Sequence, residues 1–233
     1  MLVLALAAAA AAAPVVLDLA APQAADGPIT VTGSNRALRI EGDQLEAALR
    51  AYEAGRARFA PASRLLWQVT LDGDEALVPV VLGLVTSTGQ VALGPDAAGR
   101  FALPARAAGE RWQMLIGNRS RTVLAVLPAV VSPGFEERVR RLGDLRLECR
   151  VAWAMLADDP VVKARKLPKS PESCGRAGVS VGFRAARPIL RATLSEGART
   201  APVPLAGDGV HYRPPIAEPR WSDAAAVTLA LEP

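Results

Sequence analysis

Residues 141–174, RLGDLRLECRVAWAMLADDPVVKARKLPKSPESC, hold both cysteines, all three lysines and the one long polar excursion of the chain. Within them Leu147, Cys149, Val151, Trp153 and Met155 alternate with Arg146, Glu148, Arg150, Ala152 and Ala154. Period-two alternation predicts an antiparallel strand over 146–155, with one face against a core. Cys149 then points into the apolar layer beside Trp153. Cys174 is its only possible partner within the chain, and a bridge would close a loop of about 25 residues, worth roughly 3 kcal/mol by loop entropy. Two unrelated buried thiols are the alternative.

An oxidised pair asks for an oxidising compartment, and the N-terminus is consistent with one. Leu2–Ala13 is an apolar run followed by small residues, the pattern of a signal peptide over residues 1–25, although no Lys or Arg precedes it. The run is short for a membrane span, and no later stretch reaches about 20 apolar residues. The expected mature protein is therefore periplasmic or secreted, with no transmembrane segment after signal removal. The chain has 233 residues, a formal net charge of +4 and a pI near 9.6, with arginine far in excess of lysine. A basic surface suits anionic partners. No basic run is interleaved with aromatics, so nucleic acid is not expected.

One helix is evident near the N-terminus. Asp43 and Glu46 have capping-box spacing, and Leu45, Ala48, Leu49 and Tyr52 form an apolar stripe over 44–58. Arg56 and Arg58 suit its C-terminal end, and Gly55 and Pro61 mark its stop. From Arg64 onward, short alternating runs are punctuated by Gly and Pro: Leu65–Leu71, Leu77–Thr86, Val91–Leu93, Trp112–Ile116 and Thr122–Leu127. Further runs follow at Val179–Phe183, Ile189–Leu194, Thr200–Leu205, Val210–Arg213 and Ala225–Leu231. This spacing predicts a mostly β protein with two antiparallel sandwich-like halves and one amphipathic helix. The expected division is an N-terminal segment 26–62, a first β domain 63–131 and a second β-rich domain 136–233, with Pro128–Pro133 as the hinge.

The run VPVVLGLVTSTGQVALGPDAAGRFALP, within about residues 78–104, resembles the carboxypeptidase-regulatory-like, transthyretin-like β-sandwich modules. Asp96, Gly99, Phe101 and Leu103 carry the resemblance, as a D-x-x-G-x-F-x-L turn and strand; the opening glycine-valine strand of those modules is missing. The segment RLGDLRLECRV is similar to uncharacterised exported proteins of GC-rich proteobacteria, which implies no activity.

Candidate chemistry is sparse. Gly178-Val-Ser180-Val-Gly182 matches the nucleophile pattern G-x-S-x-G, and Asp208 and the single histidine, His211, follow in hydrolase order. A nucleophile elbow needs strand, turn and helix, whereas Ser180 sits in what reads as a continuous strand. Asp72, Asp74 and Glu75 lack the spacing of a calcium loop and read as a hairpin tip. One histidine and two bridged cysteines leave no zinc site, and no cofactor is expected. The loop 158–173, basic at Lys163, Arg165, Lys166 and Lys169, is the candidate binding loop, since tethered loops on rigid scaffolds often bind. An ordinary solvated excursion is the alternative. The resulting expectation is a non-enzymatic binding or structural protein of the bacterial envelope, its partner an envelope protein or anionic envelope component. A serine hydrolase using Ser180 and His211 is the first alternative, and an accessory subunit docking through helix 44–58 the second.

Overall fold

The computed structural model describes residues 38–71, 81–87, 89–96, 99–104, 112–117, 123–135, 138–157, 171–176 and 180–232. In chain order these form β1 (Leu38–Glu41), α1 (Gly42–Phe59), β2 (Arg64–Leu71), β3 (Val81–Thr86), β4 (Gly89–Leu93), β5 (Arg100–Phe101), β6 (Gln113–Gly117) and β7 (Val123–Val131). Then come β8 (Val139–Arg141), α2 (Leu142–Leu156), a 3-10 turn (Pro171–Gly175), β9 (Phe183–Arg184), β10 (Ile189–Glu196), β11 (Arg199–Pro202), β12 (His211–Tyr212) and β13 (Ala226–Leu231). The described chain is mostly β, in several antiparallel sheets, with two α-helices.

The chain divides into two compact units: the described residues of 38–46 and 66–127 form one, and those of 47–65 and 128–232 the other. The helix α1 and the strands β2 and β7 each contribute residues to both.

In the first unit the strand order β1-β6-β3-β4 makes a four-stranded sheet; β5-β2-β7 is a three-stranded sheet whose strands β2 and β7 have residues in both units. The alternation expected around Trp112 is realised: Trp112, Met114 and Ile116 are all buried. The turn of the sandwich-like resemblance closes through Asp96, whose carboxylate accepts from the Arg100 N–H at 2.8 Å and pairs with its guanidinium. Gly99 takes φ 75°, which favours glycine, and places Phe101 in the core opposite Trp67. At the start of α1, the Gln44 side chain accepts from the Glu41 N–H, so the cap lies two residues ahead of the expected Asp43.

In the second unit the sheet order is β11-β10-β13-β8, with β9 and β12 forming a separate pair. The expected turns fall at Gly197 and at Gly207–Gly209. Residues 128–131, expected as part of a hinge, continue β7.

The largest correction concerns residues 146–155, which are not a strand but most of α2. The reason lies in the burial. In an α-helix residues two apart lie about 200° apart, so strict alternation also describes a helix buried on two opposite faces. Leu147, Val151 and Met155 form one buried stripe; Leu145, Cys149 and Trp153 form the opposite one. Arg146, Glu148, Arg150, Ala152 and Ala154 lie between the stripes and are half-buried. Leu, Arg, Glu, Ala and Met, all strong helix formers, dominate the segment, and Val151 is its only β-branched residue. The expectation of a single helix falls with it.

The N-terminus of α2 carries no side-chain cap. Its first donors are satisfied from a distant segment instead: Leu142 N–H donates to Ala225 O at 2.8 Å and Gly143 N–H to Asp223 O at 3.0 Å. Asp144, fully buried, accepts from the Ser132 N–H (2.9 Å) and hydroxyl (2.7 Å). Both backbone groups of Val130 meet side chains: its N–H donates to Glu148, and its carbonyl accepts from Arg140. Arg140 and Glu148 pair at 2.6 Å. Burial works against the charge on Arg140, but Glu148 beside it holds the guanidinium pKa above its ordinary range.

Candidate functional site

The Cys149–Cys174 disulfide is formed, with Cα atoms 6.1 Å apart. It ties the middle of α2 to the 3-10 turn at Pro171–Gly175, and that turn is one rim of a cleft in the second unit. The cleft encloses about 360 Å³. The end of α1 supplies Arg58 and Phe59, α2 supplies Arg146 and Arg150, and the segment 216–223 supplies the remainder.

The local sequence explains this placement. Arg146 and Arg150 are one helical turn apart on α2, so both project from the strip between its buried stripes. Arg146 is a structural staple. Its Nε donates to Ile216 O at 2.8 Å, its Nη2 to Glu218 O and Trp221 O at 2.9 Å each, and its Nη1 to Asp223 Oδ1 at 2.6 Å. This fork shapes the irregular 216–223 segment by satisfying three carbonyls that lie outside any sheet, and it neutralises Asp223. Arg150 lies 4.9 Å from the ring centre of Phe59, and Arg58 the same distance from that ring. Among the described residues neither makes an ion pair.

The hydrolase candidates are arranged differently. Ser180 is exposed, in the loop before β9, and no helix occurs within residues 180–232. Asp208 accepts from the Val210 and His211 N–H groups at 3.1 Å, and its other oxygen meets His211 Nδ1 at 2.7 Å. Partial burial works against its charge, yet the hydrogen bonds from His211 and Val210 hold its carboxyl below the usual carboxylate range. This carboxylate closes the turn at Gly209, whose φ is 72°. His211 pairs with Arg184 across the β9–β12 ladder.

Lys163, Arg165, Lys166 and Lys169 lie outside the described residues, as do the export segment 1–25 and Asp72, Asp74 and Glu75. Among the described residues no cluster of His, Cys, Asp and Glu could hold a metal ion, and no helix is long and apolar enough to cross a membrane. Comparison with family models, with curated proteins and with solved structures found no match.

None of Arg58, Phe59 and Arg150 stood out in the sequence as a site residue. The signal for half of the site was present in the four-residue spacing of Arg146 and Arg150, which places both on one side only if the segment is a helix. The approach of Phe59 and Arg58 to Arg150, 91 and 92 positions along the chain, has no local signature.

Proposed function

We propose that this protein is an exported, non-enzymatic binding protein of the bacterial envelope. The observation that carries the proposal is the disulfide at the rim of the cleft. A cross-link of this kind persists in an oxidising compartment, and here it braces two of the elements around the chain's candidate binding concavity. The signal-like N-terminus supports the same destination. The scaffold of the proposal is two sandwich-like halves, a reading supported by the separate four-stranded and three-stranded sheets.

Mass spectrometry of the protein recovered from its native host, with and without thiol alkylation, tests the export reading. A mature chain beginning near Asp26 with Cys149 and Cys174 bridged is the expected result. A retained N-terminus with two alkylated thiols would overturn it. The non-enzymatic reading is tested separately, by ester hydrolysis: activity abolished by Ser180→Ala would replace it with the hydrolase.

A further inference from the structure

Resting on the reading as a binding protein, we infer that the cleft takes a small organic anion, with a carboxylate or phosphate ester held by Arg58 and Arg150 and a carbon body against the apolar wall.

The charge balance of the cleft leads to this. Among the described residues Asp223 is the only carboxylate in its lining, and Arg146 neutralises it at 2.6 Å. Arg146 is already committed to three carbonyls as well. That leaves Arg58 and Arg150 with no carboxylate partner among the described residues. Two guanidiniums facing one concavity repel each other unless an anion lies between them, and a guanidinium fork matches the oxygens of a carboxylate or phosphate.

Their positions are also restrained. Each guanidinium is 4.9 Å from the centre of the same Phe59 ring, and the two therefore lie no farther apart than twice that distance. Packing against the ring limits the freedom that a long side chain would otherwise lose on binding. Gly175 lies beside the same guanidinium: a Cβ there would stand 4.0 Å from Nη2 of Arg150, an ordinary contact distance.

The rest of the lining favours carbon. Ile216, Ala217, Pro219 and Trp221 contribute apolar side chains to it. A bare inorganic ion would leave this surface and most of the 360 Å³ to water.

Calorimetric titration of the full chain, bridge intact, tests the inference with phenyl phosphate, benzoate, inorganic phosphate and the uncharged benzyl alcohol as probes. Saturable binding of phenyl phosphate or benzoate, with inorganic phosphate and benzyl alcohol each weaker by about tenfold, is expected. Arg58→Gln and Arg150→Gln should each weaken the organic anion by about tenfold or more. Arg191→Gln, at an exposed position on β10, should leave the affinity unchanged. Arg58 is exposed, so its variant keeps the test valid should Arg150→Gln fold poorly. No saturation by either organic anion, or affinity indifferent to both cleft substitutions, would overturn the inference. Inorganic phosphate binding as tightly as phenyl phosphate would overturn its organic part. None of these outcomes bears on the alkylation result, so export and anion binding fail separately.

Discussion

Tyr212 is buried to 1% exposure, and its hydroxyl has no hydrogen-bond partner among the described residues. Burial pushes its pKa up to about 12 from an ordinary value of 10.0, against the opposing pull of Arg140. The folded state thus holds the proton more tightly than the unfolded one. The associated stability is complete below pH 10 and is lost as pH rises toward 12, to the extent of roughly 2–3 kcal/mol. Urea melts of Tyr212→Phe should show a stability at pH 7 within about 1 kcal/mol of the parent, since the lost hydroxyl made no bond. Between pH 10 and 12 the variant should lose less than the parent. A parent and variant with the same alkaline loss would assign that loss to other groups. Asp144 is the opposite case, a buried carboxylate whose two oxygens both accept. Asp144→Ala strands the Ser132 N–H and hydroxyl in the core and should cost about 2–4 kcal/mol. Asp144→Asn, which keeps one acceptor oxygen, should cost less, as read from the same melts.

At the scale of elements, a glycine stands at each of two close approaches between α1 and α2. A Cβ on Gly143 would stand 2.1 Å from the carbonyl oxygen of Phe59 and 2.9 Å from Cβ of Asp223. Backbone cannot swing aside, so Gly143→Ala should destabilise the protein by roughly 2–3 kcal/mol. A Cβ on Gly55 would crowd only side chains, the Cδ1 end of Leu147 at 2.6 Å and, at an ordinary 3.5 Å, the Phe59 ring, and a change of the Leu147 rotamer relieves the close one. Gly55→Ala also gains helix propensity of about 1 kcal/mol, and thermal melts should find it close to neutral. Equal losses at both positions would show that the helices cannot adjust at either contact. A double-mutant cycle between Arg140 and Glu148 addresses how β7 is held. Either single change, Arg140→Met or Glu148→Gln, disturbs a partner of Val130 and leaves the other charge buried, so each should cost about 3 kcal/mol. The double change should cost less than the two combined, because no unpaired charge remains.

For the whole molecule the disulfide is the principal cross-link among the described residues, spanning 25 positions. Reduction, or paired replacement of both cysteines by alanine, should lower stability by roughly 3 kcal/mol. Should the anion cleft be as inferred, the same treatment should weaken phenyl phosphate binding, because Cys174 and Gly175 form its rim. Much of this architecture was legible from the residues. Helix α1 shows its apolar stripe and, at Pro61, its stop, although Gly55 lies inside it. Strands β10 and β13 show alternation, whereas of the described residues in the run expected at 179–183 only Phe183 is strand. The cysteine pair had one possible solution within the chain. These features depend on neighbours within a few positions, where local sterics and patterning dominate. What the tertiary structure alone decided is the state of residues 142–156 and everything built on it. Their period-two pattern suits a strand with one buried face and a helix with two. The choice turned on a second apolar surface, and on the 223–225 carbonyls that cap the helix from 80 residues away. The cleft follows from the same fact, because Phe59, Arg150 and Asp223 become neighbours only when distant segments enclose α2. Local pattern encodes which residues shun water; which surfaces arrive to cover them depends on the folded chain.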